Sequence, residues 1–363
     1  MHRLTQRKEN AMKKYLIPNE GKFYKTALHT HTTVSDGKLT PEELKEEYKK
    51  RGFSVVAYTD HEVVVPHNDL RDEDFLPITA YEISVTDGKW TPFTKCYHMN
   101  LYFRDKDTVL SKTFCEKKVS QKEHMQALIT DEMRKVGTES RDYTKQFVQW
   151  LVDTAREEGA IVSYNHPVWS LQSKDDYSGI KGFFGVEWHN TGCVRVGMPD
   201  SIKPIEDLIA EGERKCYPLA TDDCHGLQDV GGGWVMVKAR ELEYETVFNA
   251  LEKGEFYSTN GPEIKELYVE DGTLTVKTSP VKKIAATTGH RPTMRKNAPE
   301  GELITEASFS LEGFTTNVAN APEGVCPYVR IDLTDEYGGR AYSRTYFADE
   351  FLDVEEIRKN ANN

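Results

Sequence analysis

The chain has 363 residues, 38% of them hydrophobic and 29% charged, and a formal net charge of −12. That length suits one domain of about 250 residues plus a smaller one, and the acidic balance argues against a general binder of nucleic acid or anionic membranes. No run of about 18 apolar residues occurs and the N-terminus has no apolar signal-like stretch, so the cytoplasm is the expected compartment.

Residues 1–22 read as an extension, with Met12 an alternative start and the residues before it expected to lack order. Phe23–Leu28 is a short strand running into His29. Thr40 is a helix N-cap, with Pro41 in the first turn, Glu43 completing a capping box, Leu44 and Tyr48 on one face, and Gly52 as the stop. Phe53–Tyr58 is a continuous apolar run, as in a strand covered on both faces, and it ends at Asp60-His61. Asp74–Thr79 leads to Tyr81-Glu82, and Cys96–Phe103 is a strand carrying His98. Asp105–Arg141 is polar and reads as an inserted helical excursion or lid.

Thr144–Glu158 has helical periodicity, with Phe147, Trp150, Leu151 and Ala155 on its stripe. Ala160–Tyr164 ends at Asn165-His166-Pro167, Phe183–Val186 at Glu187, and Tyr217–Ala220 at Asp222-Asp223-Cys224-His225. Gly233–Val237, a helix near Leu242–Lys253, and Phe256–Ser258 follow. This alternation over residues 23–261 predicts an α/β barrel with a mainly parallel sheet. After Gly261-Pro262, short alternating runs (Lys265–Tyr268, Leu274–Lys277, Ala307–Leu311, Tyr328–Leu333, Ala341–Phe347) with Asp-Gly, Ala-Pro and Gly-Gly turn signals predict a small antiparallel β domain over 262–352. Residues 353–363 read as a frayed tail.

The eleven histidines carry the chemical signal. His29, His31, His61, His166 and His225 fall at or just after predicted strand ends, where the loops of a parallel barrel converge. In His29-Thr30-His31 the i, i+2 spacing of an extended segment points both imidazoles to one side; Asp223-Cys224-His225 repeats it with a carboxylate. Asp36 lies in a turn-like Ser-Asp-Gly triplet, equally suited to stabilising a turn. Glu82 ends a strand, where a carboxylate can bridge two cations or form an ordinary rim ion pair. His98 sits among large side chains that suit core packing. None of the six cysteines forms a CxxC pair, so they read as free thiols. Imidazole and oxygen donors without thiolates suit Zn²⁺, Mn²⁺ or Fe²⁺, and the candidates outnumber what one ion of about four to six ligands needs. Two or three divalent ions are therefore expected.

HTHTTVSDG, TDH, a strand-end Glu, NHP and DCHG, in this order, resemble the polymerase-and-histidinol-phosphatase (PHP) superfamily, and more narrowly its CehA/McbA-like metallohydrolases; EFYSTNGPEI (Glu255–Ile264) is similar to the segment that closes such domains. The resemblance covers about residues 23–264. It implies a distorted (β/α)7 barrel of the TIM-like kind. It also implies that His29 and His31 hold one ion, with Asp223 completing its shell and Glu82 bridging to a second ion on His98 and His166. Asp36, His61 and His225 would hold a third. Many relatives carry His where this chain has Asp36, which makes the third site richer in oxygen. Glu187 matches a strand-end acid of the family and is placed behind the ligands or beside substrate.

The expected activity is hydrolysis of a small phosphate ester, such as a nucleotide or sugar phosphate. A hydroxide shared by two cations attacks phosphorus while the metals neutralise the phosphoryl oxygens. His61 and His225 are the candidates for meeting the leaving oxygen, Asp60 and Asp222 for orienting imidazoles, and Lys181 and Arg195 for contacting phosphate. Two other readings stay open: a carbamate, ester or amide hydrolase on the same site, and a metal-stabilised scaffold that binds a partner through residues 262–352. Nucleic acid beyond short oligonucleotides and membranes are not expected partners.

Overall fold

The apolar runs at Val55–Tyr58 and Ala160–Tyr164 become strands buried along their whole length, as a sheet covered on both faces requires. The computed structural model describes residues 13–291 and 293–361, so the expectations about Met12 and the residues before it lie outside the described residues. The chain divides into two units: Glu20–Gly261 with Tyr342–Arg344, and Pro262–Ala341 with the segments before Glu20 and from Thr345 onward. No helix among the described residues is long and apolar enough to cross a membrane.

In chain order the strands up to Gly261 are β1 (Lys14–Tyr15), β2 (Lys22–Ala27), β3 (Val55–Tyr58), β4 (Leu76–Thr86), β5 (Cys96–Phe103), β6 (Ala160–Tyr164), β7 (Gly185–Asn190), β8 (Tyr217–Thr221), β9 (Trp234–Ala239) and β10 (Phe256–Thr259). The larger unit is a mixed α/β fold whose sheet runs β10-β9-β2-β3-β4-β5-β6-β7-β8. Pairing is parallel for β2/β3, β3/β4, β6/β7 and β7/β8. It is antiparallel for β4/β5, β5/β6, β2/β9 and β9/β10, which corrects the expectation of a mainly parallel sheet. For β4/β5 the cause is loop length. A parallel crossover needs about a dozen residues or more, and the link between β4 and β5 is a short hairpin pinned by Asp87 N–H donating to the Lys95 carbonyl at 2.9 Å.

Past their last residues, β2 and β8 meet in an isolated parallel bridge, Thr30 with Cys224. His31 N–H donates to the Cys224 carbonyl at 2.9 Å and Cys224 N–H to the His29 carbonyl at 3.3 Å. Beyond that bridge, no ladder among the described residues closes the sheet into a regular barrel.

Helices cover the sheet where the sequence places amphipathic stripes. Pro41–Lys50 carries the expected capping box between Thr40 and Glu43, and its buried Leu44 and Tyr48 pack with Phe53, Val56 and Tyr58. Each such side chain contributes about 1.5–3 kcal/mol of burial. The helix Lys145–Glu157 begins at Thr144 as expected, but it buries Val148, Leu151, Val152 and Ala155. Trp150 is 41% exposed, so the stripe is rotated from the expected one. The excursion 105–141 holds two short α-helices, Glu123–Gln126 and Asp131–Val136, and a single 3-10 turn, Glu116–Lys118. It is anchored by Arg141, which is buried and donates to Glu62 Oε2 at 2.6 Å, to the Ser84 carbonyl at 2.9 Å and to the Thr113 carbonyl at 2.8 Å.

The second unit is antiparallel. Its first sheet is β1-β11-β12-β15, with β11 Ile264–Glu270, β12 Thr273–Val281 and β15 Ile304–Ser310. β13 (Lys283–Thr288) pairs with β14 (Met294–Asn297) and with β16 (Tyr328–Thr334). β13, β14 and the helix Glu312–Ala319 were not read from the sequence. The expected frayed tail contains a helix, Val354–Ala361. All six cysteines are free thiols, five of them buried.

Candidate metal centre

The strand ends of the larger unit position the expected side chains at one rim. Alternation along β5 turns His98, Asn100 and Tyr102 to one side. Tyr102 Oη and Asn100 Nδ2 donate to the Leu28 carbonyl at 2.8 and 3.3 Å, which fixes the backbone entering His29. Thr30 Oγ1 donates to the Ala57 carbonyl at 2.8 Å. Gly37 is required by close approach: a Cβ there would lie 2.3 Å from the His31 carbonyl oxygen. His166 and Asp223 have φ of 28° and 49°, a left-handed backbone that costs non-glycine residues about 1 kcal/mol or more and that is often found at functional sites.

Every residue expected as a ligand arrives here. His29 and His31 bring their Nε2 atoms to 3.2 Å. Glu82 uses both oxygens: Oε1 lies 3.3 Å from His29 Nε2, 3.2 Å from His98 Nδ1 and 3.5 Å from His166 Nε2, and Oε2 lies 3.6 Å from His31 Nε2 and 3.1 Å from His61 Nδ1. Asp223 Oδ1 lies 3.3 Å from His29, 3.1 Å from His31 and 3.5 Å from His225, and Oδ2 lies 3.8 Å from His166. Asp36 meets His31, His61 and His225 at 3.8, 3.7 and 3.5 Å.

Three groups have donor atoms close enough to hold an ion: His31, Asp36, His61 and His225; His29, Glu82 and His166; and His29, His31 and Asp223. His29 and His31 each belong to two groups, unlike the expected partition, and His98 reaches Glu82 without completing any of the three.

These spacings suit divalent ions. Ligand atoms about 2.1 Å from a shared ion sit roughly 3.0–3.4 Å apart at octahedral and tetrahedral angles, and most of the contacts above lie close to that range. Buried His31 Nδ1 has no hydrogen-bond partner, which is expensive for a polar atom unless something else meets it. The donors are imidazole nitrogens and carboxylate oxygens, a set that takes first-row divalent metals.

Electrostatics within the protein alone hold the cluster as ion pairs. Burial favours a neutral ring at His29, but Asp223, Glu82 and Glu187 override it and raise its pKa well above the usual value; burial at His98 is likewise overridden by Glu82. Burial also opposes the charge on Glu82 and Asp223, yet the surrounding imidazoles hold both carboxyls well below the usual range. His31 goes the other way: burial, then the charges of His61 and His225, lower it to about 4. His225 is raised to about 9, because the Asp36 and Asp223 carboxylates outweigh its burial.

The remaining site expectations divide. Glu187 does not face the mouth. It is buried behind His29 and accepts from His29 Nδ1 and Thr221 Oγ1, both at 2.7 Å, and from His166 N–H and Asn190 Nδ2, both at 2.9 Å. Asp60 does not orient an imidazole. It accepts from Thr32 N–H and Oγ1 at 2.8 Å and from Ser35 N–H and Oγ at 3.1 and 2.6 Å, which ties down the first loop. Asp222 accepts from the N–H groups of Gly231, Gly232 and Gly233 at 2.7–2.9 Å and from Tyr48 Oη at 2.8 Å. Both acids are therefore corrected from catalytic candidates to loop anchors.

Lys181 precedes β7, at the strand end opposite the rim, and pairs with Glu213 at 3.1 Å, so it is not a substrate contact. Arg195 pairs with Asp229 at 3.1 Å, and Asp229 accepts from His225 N–H at 3.1 Å, so Arg195 borders the rim. The sequence reading missed Asn165, which donates to Glu82 Oε1 at 2.8 Å, Asn190, which donates to Asp223 Oδ2 at 3.2 Å, and Ser170 beside His166 Nδ1 at 3.2 Å. Asn165 and Asn190 are polar residues at strand ends next to or near ligands, and that placement is the available signal.

No protein-family model matches the chain, and no curated protein matches it either. Among solved structures, it is similar to a two-domain protein from Bacteroides vulgatus containing a predicted PHP-like metal-dependent phosphoesterase, at 15% identity over 94% of this chain and 98% of that one, with a TM-score of 0.41. A candidate metal-dependent phosphoesterase from Bifidobacterium adolescentis is 15% identical over 58% of this chain and 90% of its own, with a TM-score of 0.38. An amidohydrolase from Chromobacterium violaceum is 16% identical over 55% and 87%, with a TM-score of 0.37. At such scores the likeness carries nothing about the chemistry of this chain.

Proposed function

We propose that the chain is a metal-dependent hydrolase of the PHP kind, its larger unit a distorted (β/α)7 barrel, that cleaves a small phosphate ester with two or three divalent ions. The observation that carries this reading is the sharing of Glu82 and Asp223 among imidazoles from four strand-end loops and from β5, with each carboxylate presenting its two oxygens to different donors. A single-ion site has no use for that arrangement.

When bound, the ions supply an activated water and neutralise phosphoryl oxygens. The protein does the rest. Glu187 accepts from His29 Nδ1 and so leaves Nε2 as the free lone pair. Asn165 steers Glu82. Asp36, His61 and His225 form the more open edge, with side chains 43%, 26% and 38% exposed. Two cations border that edge and favour phosphate over an uncharged ester: Arg195, and Lys122, whose Nζ donates to the Ser35 carbonyl beside Asp36 at 3.4 Å.

Metal analysis of protein purified without chelator, followed by turnover assays with Mn²⁺ on phosphate monoesters and on aryl carbamates, tests the reading. Metal content above one ion per chain with phosphatase turnover supports it. Carbamate turnover alone moves the activity to the alternative bond, and a protein that is inert at saturating Mn²⁺ or Zn²⁺ but captures a specific partner through residues 262–352 ends the enzyme reading.

A further inference from the structure

Beside the imidazoles and carboxylates lies a feature that metal binding does not use. Trp169 follows His166 by three residues, and its ring centroid lies 5.1 Å from that of His166 and 5.7 Å from that of His98. Trp90, on the hairpin between β4 and β5, stacks on Trp169 at 5.9 Å with the planes 25° apart. The rings thus lead outward from the buried centre to Trp90, which is 57% exposed. Among the described residues neither indole N–H has a hydrogen-bond partner, whereas the buried Trp188 donates to Ser258 Oγ at 2.9 Å. A tryptophan that serves packing buries its ring and satisfies its N–H. Trp90 does neither.

We propose that Trp90 and Trp169 form a platform for a planar aromatic ring carried by the leaving group, so that the substrate class is a ring-bearing phosphate ester rather than a sugar or polyol phosphate. This rests on the phosphoesterase reading above. The position fits: the platform borders the His98 and His166 side of the centre, so an ester held there places its phosphoryl group among the ligands and its ring on the indoles. Stacking a planar ring on an aromatic side chain changes affinity by roughly ten- to a hundredfold. Two sources carry such a ring, a phenolic ester and the base of a nucleoside.

The test uses the full chain loaded with Mn²⁺. The ratio of kcat/KM for phenyl phosphate over glycerol phosphate reads a phenolic source, and that for adenosine monophosphate over ribose phosphate reads a nucleoside. At least one ratio is expected to favour the ring and to fall about tenfold in Trp90→Ala. Trp169→Phe should keep part of the preference that Trp169→Ala removes. Phe93→Ala, on the same hairpin and 87% exposed, should keep all of it. A merely structural role lowers turnover of every ester alike and leaves both ratios unchanged, and that result overturns the platform while the phosphoesterase reading stands. Calorimetric binding of phenylphosphonate against methylphosphonate requires no turnover. If no ester is cleaved, yet phenylphosphonate binds more tightly and Trp90→Ala abolishes the difference, the platform stands and the phosphoesterase reading falls. Equal binding of the two phosphonates by wild type, together with equal turnover of ring-bearing and ring-free esters, overturns the platform.

Discussion

Replacing Glu187 by Gln separates the ligand cage from its support. The Glu187 carboxylate accepts four hydrogen bonds, Oε1 from His29 Nδ1 and Thr221 Oγ1 and Oε2 from His166 N–H and Asn190 Nδ2. An amide cannot serve all four. With its oxygen toward His29, its NH₂ meets two donors, His166 N–H and Asn190 Nδ2. With its NH₂ toward His29, it donates to Nδ1, moves the ring proton to Nε2 and blocks the atom that faces Glu82 and Asp223. Either orientation disorders a ligand from behind, and losses of this kind weaken metal affinity about 10- to 100-fold, or roughly 1.4–2.7 kcal/mol. The assay is calorimetric titration of Mn²⁺ or Zn²⁺ into chelator-stripped protein, with circular dichroism to show that the fold is kept. Wild-type affinity in Glu187→Gln would refute the reasoning, because it would mean that the His29 tautomer does not matter to the ions.

Further expectations follow from the same contacts. His31→Ala and Asp223→Ala should each lose bound metal, read by elemental analysis, along with hydrolysis, while the circular dichroism spectrum stays that of wild type; retained turnover in either sinks the ligand assignment. Asp60→Asn, which leaves the first-loop donors without a full acceptor, should lower stability by about 3 kcal/mol and the melting temperature by roughly 6–12 °C, and an unchanged melting curve would show that Thr32 and Ser35 do not depend on it. Arg141→Met strands the buried Glu62 carboxylate and should destabilise by about 3–5 kcal/mol, with Glu62→Gln added to it restoring part of the loss; additive effects of the two would contradict a coupled pair. The His225 pKa is about 9 when folded and about 6.5 when unfolded. Its contribution to the metal-free protein is therefore fully present below pH 6.5 and lost as pH rises to about 9. Thermal melts of stripped protein should decline across that window, while the added stabilisation by Mn²⁺ should grow, since ions need the neutral ring.

The chemistry was more legible in the sequence than the architecture. His29-Thr30-His31 and Asp223-Cys224-His225 announce themselves because extended backbone repeats every two residues and puts i and i+2 on one side. His166 follows a run of apolar residues, so its rim position follows from the strand, whereas Glu82, expected at a strand end, lies within β4, which runs on to Thr86. Asp60 was assigned the wrong work because its partners Thr32 and Ser35 come from a distant segment that only folding brings to it. Lys181 was misplaced because a charge near a strand reads alike at either end, and only the direction of β7 decides which rim it joins. The antiparallel insertion of β5 had a signal in the brevity of the Asp87–Lys95 link, but apolar alternation is blind to strand direction. On the helix Lys145–Glu157, the aromatic pair Phe147 and Trp150 outweighed the smaller Val148 and Val152 that are buried.

The Thr30–Cys224 bridge has a bearing on how the protein comes into being. A nascent chain emerging from the ribosome exposes His29 and His31 early, yet the carboxylate they share with His225 is not translated until well past the midpoint. Until then the early histidines are isolated weak donors in water. The group of His29, His31 and Asp223 is therefore completed late in synthesis, after every residue of the group of His29, Glu82 and His166 has already been translated.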